Sequence, residues 1–174
     1  MTVRPIERKD LSRIVEERAK VPETLRTEIL LNTDMQEEWY KSVICNRNST
    51  TRYFIFSDDS DRGYGGIENI LWSSGIGEIS VLVYEAYRGM GVGRKIVDKI
   101  LDIGFNTLGL DTLFAECYTS GAYRFWDKIA EEKKAYRTYL PRRKYWKGRL
   151  YDSIYYSFHK DDMLTNQLDH GIVV

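Results

Sequence analysis

The stretch Val81-Leu82-Val83-Tyr84-Glu85-Ala86-Tyr87-Arg88-Gly89-Met90-Gly91-Val92-Gly93-Arg94 decides the fold of this chain. A β-branched strand runs into a glycine-rich turn. The turn opens an amphipathic helix predicted over Gly91–Leu108, with Val92, Ile96, Ile100 and Ile103 as its apolar face. Glycines let a backbone approach a ligand closely, and the first amides of a helix point outward without intrahelical acceptors. With the helix dipole, such a turn makes a site for phosphate or pyrophosphate. Arg88 and Arg94 add positive charge beside it.

Three anion-binding patterns compete for this turn. A P-loop needs Lys-Ser or Lys-Thr after its glycines, and neither is present here. A dinucleotide fingerprint needs Gly-x-Gly-x-x-Gly in a parallel βαβ unit, whereas this spacing differs and the preceding strands read as antiparallel. The third pattern, Arg-x-x-Gly-x-Gly after a central strand, resembles the acetyl-CoA motif of the GNAT superfamily. A turn serving only tight strand–helix packing would not require the whole string from Val83 to Gly93.

Outward from the turn, Thr2–Pro5 reads as a first strand, and Asp10 is placed to cap a helix over Leu11–Ala19. Val21–Leu31 is ambiguous, open to a second helical piece. Asn32-Thr33-Asp34 is cap chemistry for a helix over Met35–Cys45, with Trp39, Val43 and Tyr40 as inward candidates. Thr51–Ser57, Gly65–Trp72 and Gly77–Tyr84 read as strands of an antiparallel meander, with turns at Asp58–Gly63 and Ser73–Gly75. Beyond the helix come a strand at Asp111–Cys117 and a helix at Ser120–Ala130, with Tyr123, Trp126 and Ile129 inward. Two strands, Tyr136–Trp146 and Leu150–Phe158, flank Gly148. These elements predict one α+β domain over residues 1–160 and a polar tail over 161–174.

The resemblance extends over nearly the whole chain. The order β–α–α–β–β–β–α–β–α–β–β is that of the GNAT fold, a central, mixed, mostly antiparallel sheet of six to seven strands flanked by helices. Met35-Gln36-Glu37-Glu38-Trp39-Tyr40, Glu78-Ile79 and Lys147-Gly148-Arg149-Leu150-Tyr151-Asp152 look like the subfamily of ribosomal-protein alanine, polyamine and aminosugar-nucleotide acetyltransferases. The resemblance implies an acetyl-CoA-dependent N-acetyltransferase. By it, the backbone of Val81, Leu82 and Val83 pairs with the pantetheine amides. Gly89, Met90, Gly91, Val92, Gly93 and Arg94 line the pyrophosphate, and Arg88 fixes the turn. Thr119, at a position where the family often has Asn, joins the cofactor-binding set. The implied partner is a small-molecule or peptidic amine, and a homodimer is compatible with the family.

Amine acetylation needs a neutral amine, because an ammonium has no lone pair, so a carboxylate is expected to take the proton directly or through water. Glu78 matches the family position on the fourth strand and is the first candidate, with Glu68 and Glu116 as alternatives. The family's Tyr near the CoA sulfur is replaced by Trp126, whose indole cannot release a proton at neutral pH. Tyr123, about one helical turn earlier, is the candidate acid, and Tyr118 the second choice. The family's Gly-Phe after this helix is also replaced, near Ala130-Glu131. Cys117 lies close to the expected acyl site and raises a covalent relay. The lack of a nearby His and the family's habit of direct transfer speak against it.

Bulk properties narrow the remaining classes. The 174 residues carry 26 acidic and 26 basic side chains, so nothing global demands a polyanionic partner. Cys45 and Cys117 are expected to be reduced, in a cytoplasmic setting. His159 and His170 are poor material for a hydrolase, and no cluster has metal-ligand spacing. No apolar run approaches the ~18 residues of a membrane span. From Lys133 to Arg149, Lys133, Lys134, Arg137, Arg142, Arg143, Lys144, Lys147 and Arg149 interleave with Tyr136, Tyr139, Tyr145 and Trp146. The stretch reads as a solvated hairpin, as a site for a phosphorylated acceptor such as a sugar nucleotide, or as a nucleic-acid surface. The last defines the alternative class, a nucleic-acid-binding or nucleic-acid-modifying protein on the same fold. Plain alternation would set Arg143, Tyr145 and Lys147 on one face and Arg142, Lys144 and Trp146 on the other.

Overall fold

A seven-stranded sheet in the order β1-β2-β3-β4-β5-β7-β6 organises the computed structural model, in which residues 1–24 and 31–162 are described. Its strands are β1 (Thr2–Pro5), β2 (Arg52–Ser57), β3 (Asp61–Leu71), β4 (Ile76–Val83), β5 (Thr112–Cys117), β6 (Tyr136–Trp146) and β7 (Arg149–His159). The α-helices are α1 (Leu11–Ala19), α2 (Thr33–Trp39), α3 (Val92–Asp102) and α4 (Ser120–Lys133). Every neighbouring pair of strands is antiparallel except β4–β5, which is parallel. The α+β class and the expected order of elements are borne out.

Strand alternation divides the core in two. On one face, Ile67, Ile79, Leu113, Tyr156 and Phe158 pack beneath α3 and α4 with Ile96, Ile100, Trp126 and Ile129. On the other, Ile55, Tyr64 and Leu82 pack with Leu11 and Ile14 of α1 and with Tyr84, and Trp39 and Ile44 rest against them. Full burial of each such side chain is worth about 1.5–3 kcal/mol. Two helical layers are thereby fixed on opposite sides of one sheet, which leaves the end of the sheet where β4 and β5 finish for chemistry.

Several sequence expectations are corrected by local irregularities. α2 runs into a π-turn over Tyr40–Ile44, and α3 into another over Ile103–Thr107. A π-turn takes an extra residue per turn and rotates the helix face beyond it. Ile44 rather than Val43 therefore joins the core, and Gly104 and Phe105 are buried where Ile103 was expected. Asp10 does not cap α1. It closes a 3-10 turn, Arg8–Asp10, by accepting the Glu7 amide at 2.8 Å, and it takes both terminal nitrogens of Arg4. Asn32 does cap α2, accepting the Met35 amide at 2.8 Å. Of the ambiguous Val21–Leu31 segment, Pro22–Thr24 is a 3-10 turn, while residues 25–30 lie outside the described residues, as do 163–174 of the expected tail.

Two bulges matter for the site. β3 and β4 lose register between Glu68 and Leu71, where Asn69 adopts φ +51°. β6 and β7 lose register between Leu140 and Lys144, where Arg142 adopts φ +56°. The second bulge overturns the plain alternation expected for β6. Arg143, still exposed, reaches across to the Glu116 carboxylate, while its neighbour Lys144 is buried. Lys147 and Gly148, both at positive φ, form the two-residue loop that twist-matched hairpins require.

Candidate active site

β4 pairs with β5 only from Ile76 to Glu78, opposite Thr112 to Phe114. Beyond Glu78, among the described residues, no strand pairs with that edge of β4, so Val81 and Val83 turn backbone groups toward an opening, while the Leu82 carbonyl between them faces β3 and the Val83 carbonyl accepts from Arg88. β5 continues away, paired with β7 as far as Cys117. Backbone amides and carbonyls left this way need polar partners. An extended, amide-bearing chain lying along β4 would supply them.

The opening leads to the glycine turn. Gly89 and Gly91 sit at φ +78° and +75°, a region that L side chains seldom occupy. A Cβ at either would meet nothing within 4 Å, so the space in front of the turn is open to a ligand. Gly93 is different: a Cβ there would come within 3.0 Å of the Phe125 ring, so this glycine serves the packing of α3 on α4. Gly91 is the residue before α3, which leaves the amides of Val92, Gly93 and Arg94 without intrahelical acceptors. Arg88 does not point into this space. Its Nε donates to the Val83 carbonyl at 3.0 Å, and its guanidinium lies 3.6 Å from Glu17. Arg94 is ion-paired with Glu132 of α4. The donors present, backbone amides ahead of a helix dipole, suit a pyrophosphate.

The α1 face of the sheet carries the candidate bases. Glu78 and Glu68 are direct cross-strand partners, and Phe114 is opposite Glu78 on the other side. Glu78 is 4% exposed and accepts the Asn69 side-chain amide at 2.9 Å, an interaction created by the β3 bulge. Glu68 accepts the Tyr53 hydroxyl at 2.7 Å. Burial, with the Glu68 carboxylate beside it, pushes the Tyr53 phenol well above its ordinary pKa. Glu116 accepts Ser153 Oγ at 2.6 Å and Arg143 Nε at 3.1 Å. That ion pair ties Glu116 into the β5–β6–β7 corner. Trp39 packs on Tyr53, and Phe114 stacks on Tyr155, so aromatic rings flank the carboxylates.

The candidate acid and thiol lie at the end of β5. Thr119 caps α4. Tyr123 is half-buried and donates to the Asp152 carbonyl at 3.2 Å. Burial, the neighbouring Cys117 and Asp152 raise its pKa, so the phenol keeps its proton. Trp126 is a core residue stacked on Tyr156. Cys117 is buried, and burial pushes its thiol up to about 12. A thiol held protonated is a poor nucleophile. Cys117→Ala is therefore expected to leave turnover within about twofold, with no acyl-enzyme mass on intact-protein mass spectrometry. A tenfold loss together with a stable acetyl adduct on the wild type would restore the relay.

Half of the basic stretch is committed to the protein itself. Lys133, Arg137 and Arg143 pair with Asp98, Asp127 and Glu116. Lys144 is buried and donates to the Glu23 carbonyl at 2.6 Å. The polyanion surface expected of a nucleic-acid binder is not supported. Among the described residues no group of His, Cys, Asp and Glu is arranged to hold a metal, and no helix is long and apolar enough to cross a membrane.

Asn69 and Glu17 were not anticipated from sequence. A signal for the first existed: Ile67 and Ile70, three apart, are both buried, which only a break in strand alternation permits.

Comparison with curated protein sequences returns no match. Among solved structures, a variant of the spermidine N-acetyltransferase SpeG from Vibrio cholerae superposes with TM-score 0.84 at 20% identity, covering 96% of this chain and 99% of that one. The same enzyme in complex with CoA and spermine superposes with TM-score 0.83 at 20% identity, covering 94% and 97%. At this identity the likeness establishes the fold. The profile of the acetyltransferase (GNAT) domain matches residues 1–122, and with the motif and fold above this chain belongs to the GNAT acetyltransferase family, whose members are acyl-CoA-dependent and acetylate amines.

Proposed function

We propose that the chain acetylates a primary amine of a small aliphatic polyamine, with acetyl-CoA lying along the β4–β5 opening and its pyrophosphate at the Gly89–Arg94 turn. The observation that carries the acceptor class is the Glu68–Glu78 carboxylate pair, set side by side and flanked by aromatic rings. Two adjacent carboxylates attract an acceptor that brings positive charge, and aromatic faces add cation–π attraction. The names of the structural neighbours, a spermidine N-acetyltransferase and its spermine complex, agree with this class.

Acetyl-CoA, when bound, supplies an activated acetyl carbonyl and a thiolate leaving group. The remaining work falls to the chain. The backbone of Val81 and the amide of Val83 hold the extended arm in the opening, with Leu82 between them paired to β3. The amides of Val92, Gly93 and Arg94 hold the phosphates, together with the open turn at Gly89, Met90 and Gly91. Glu78 takes the proton of the acceptor amine on a carboxylate oxygen, directly or through water. Tyr123, still protonated, is the proton donor at the sulfur end, and Thr119 fixes the start of the helix that carries it.

A thiol-release assay with an acceptor panel tests the substrate class. Spermidine or spermine is expected to exceed an N-terminal alanine peptide and an aminosugar nucleotide in kcat/KM by at least about tenfold, a difference of about 1.4 kcal/mol. A preference for the peptide or the nucleotide sugar would overturn the polyamine assignment.

A further inference from the structure

Outside the reacting groups, Glu17 is a carboxylate on α1 that is 7% exposed and 68 residues away in sequence from the segment it contacts. That segment is the 3-10 turn Glu85–Tyr87, which joins β4 to the glycine turn. Its first amide, that of Glu85, has no capping side chain from the residue before it. Glu17 Oε2 accepts that amide at 2.8 Å and lies 3.6 Å from the Arg88 guanidinium at the other end of the same turn. Its second oxygen takes Lys20 at 3.0 Å, and Lys20 reaches Glu85 at 3.0 Å. Arg88 in turn holds the carbonyl of Val83, the last residue of β4. One buried carboxylate thus pins both ends of the three-residue turn and, through Arg88, the end of the strand.

We infer that Glu17 is a positioning residue for acetyl-CoA, a remote cap that holds the approach to the Gly89–Arg94 turn in register with β4. The inference rests on the proposal that the pyrophosphate binds at that turn. The physical reason is that a glycine-rich loop is entropically expensive to order. Gly89 and Gly91 need a rigid neighbour if the amides around them are to converge on one anion. Glu17 supplies that rigidity from the opposite helix layer. Burial alone would raise its pKa, but the Glu85 amide, Lys20 and Arg88 outweigh that effect and hold it below the ordinary value, so it stays ionised at neutral pH.

The test separates the two substrates. Glu17→Ala is expected to raise the KM and Kd for acetyl-CoA about tenfold, while the acceptor KM and kcat at saturating acetyl-CoA stay within about twofold. Glu17→Gln keeps an oxygen for the Glu85 amide but loses the charge facing Arg88, and is expected to recover part of the loss. It also guards against a poorly folded alanine variant. Wild-type acetyl-CoA affinity in both variants would overturn the inference, as would an equal rise in both KM values. Gly91→Glu measured alongside distinguishes the failures. If it abolishes CoA binding while both Glu17 variants bind normally, only the role of Glu17 falls. If it too binds normally, the turn itself is misassigned.

Discussion

Gly91→Glu is expected to abolish acetyl-CoA binding in a protein that still folds. Nothing in the chain opposes the new side chain sterically, since a Cβ at Gly91 meets nothing within 4 Å. The conformational cost of a left-handed residue at φ +75° is about 1–2 kcal/mol. Part of it is recovered because a carboxylate at the start of α3 is favoured by the helix dipole. That same carboxylate takes the position and the amides that a pyrophosphate would use. Like charges about 4 Å apart cost on the order of 4 kcal/mol near a protein surface, roughly a thousandfold in affinity. Gly91→Asn is the control: Asn tolerates the left-handed conformation and carries no charge, so it should keep most of the affinity. Calorimetry decides between the outcomes. Unchanged CoA affinity in folded Gly91→Glu would end the assignment of this turn.

The parts of this protein that are legible in sequence are those governed by neighbours along the chain. The glycine turn, the Asn32 cap, the hairpin around Gly148 and the face of α4 carrying Trp126 and Ile129 each arise from spacing within a few residues. The two π-turns and the two bulges do not, because each depends on packing to decide where the extra residue goes. Val43 and Ile44 are equally apolar, and only the sheet beneath selects Ile44. The alternation in β6 failed for the same reason: Arg142 takes a left-handed conformation that no periodic pattern signals. Contacts between distant residues were least visible. Arg143 with Glu116, and Glu17 with the Glu85 amide, join elements that only the finished sheet brings together. The charge run from Lys133 to Arg149 looked like a surface feature, yet half of it is committed internally.

Glu78→Gln is expected to lower kcat by about 10²–10⁴-fold at neutral pH while acetyl-CoA affinity stays unchanged. Glu78 occupies the last paired position before β4 and β5 part, so its carboxylate stands at the apex of the opening. That position selects it over the other candidates. Glu68 lies one strand further from the opening and is engaged by the Tyr53 hydroxyl, and Glu116 is tied to Arg143 and Ser153 at the β5–β7 corner. On Glu78 the Asn69 amide donates to Oε2. Gln at this position keeps an oxygen for Asn69 and the shape of the site, so a loss of stability would not explain a loss of rate. Glu68→Gln, which disturbs the same face without removing the base, should cost far less. The pH dependence carries the sign of the mechanism. A primary amine is mostly protonated at pH 7 and sheds its proton near a pKa of about 10.4, so the deficit of Glu78→Gln should narrow as pH rises toward that value. A deficit that is constant across that range would point to positioning rather than proton removal. Wild-type turnover of Glu78→Gln at pH ~7 would remove Glu78 from the reaction altogether.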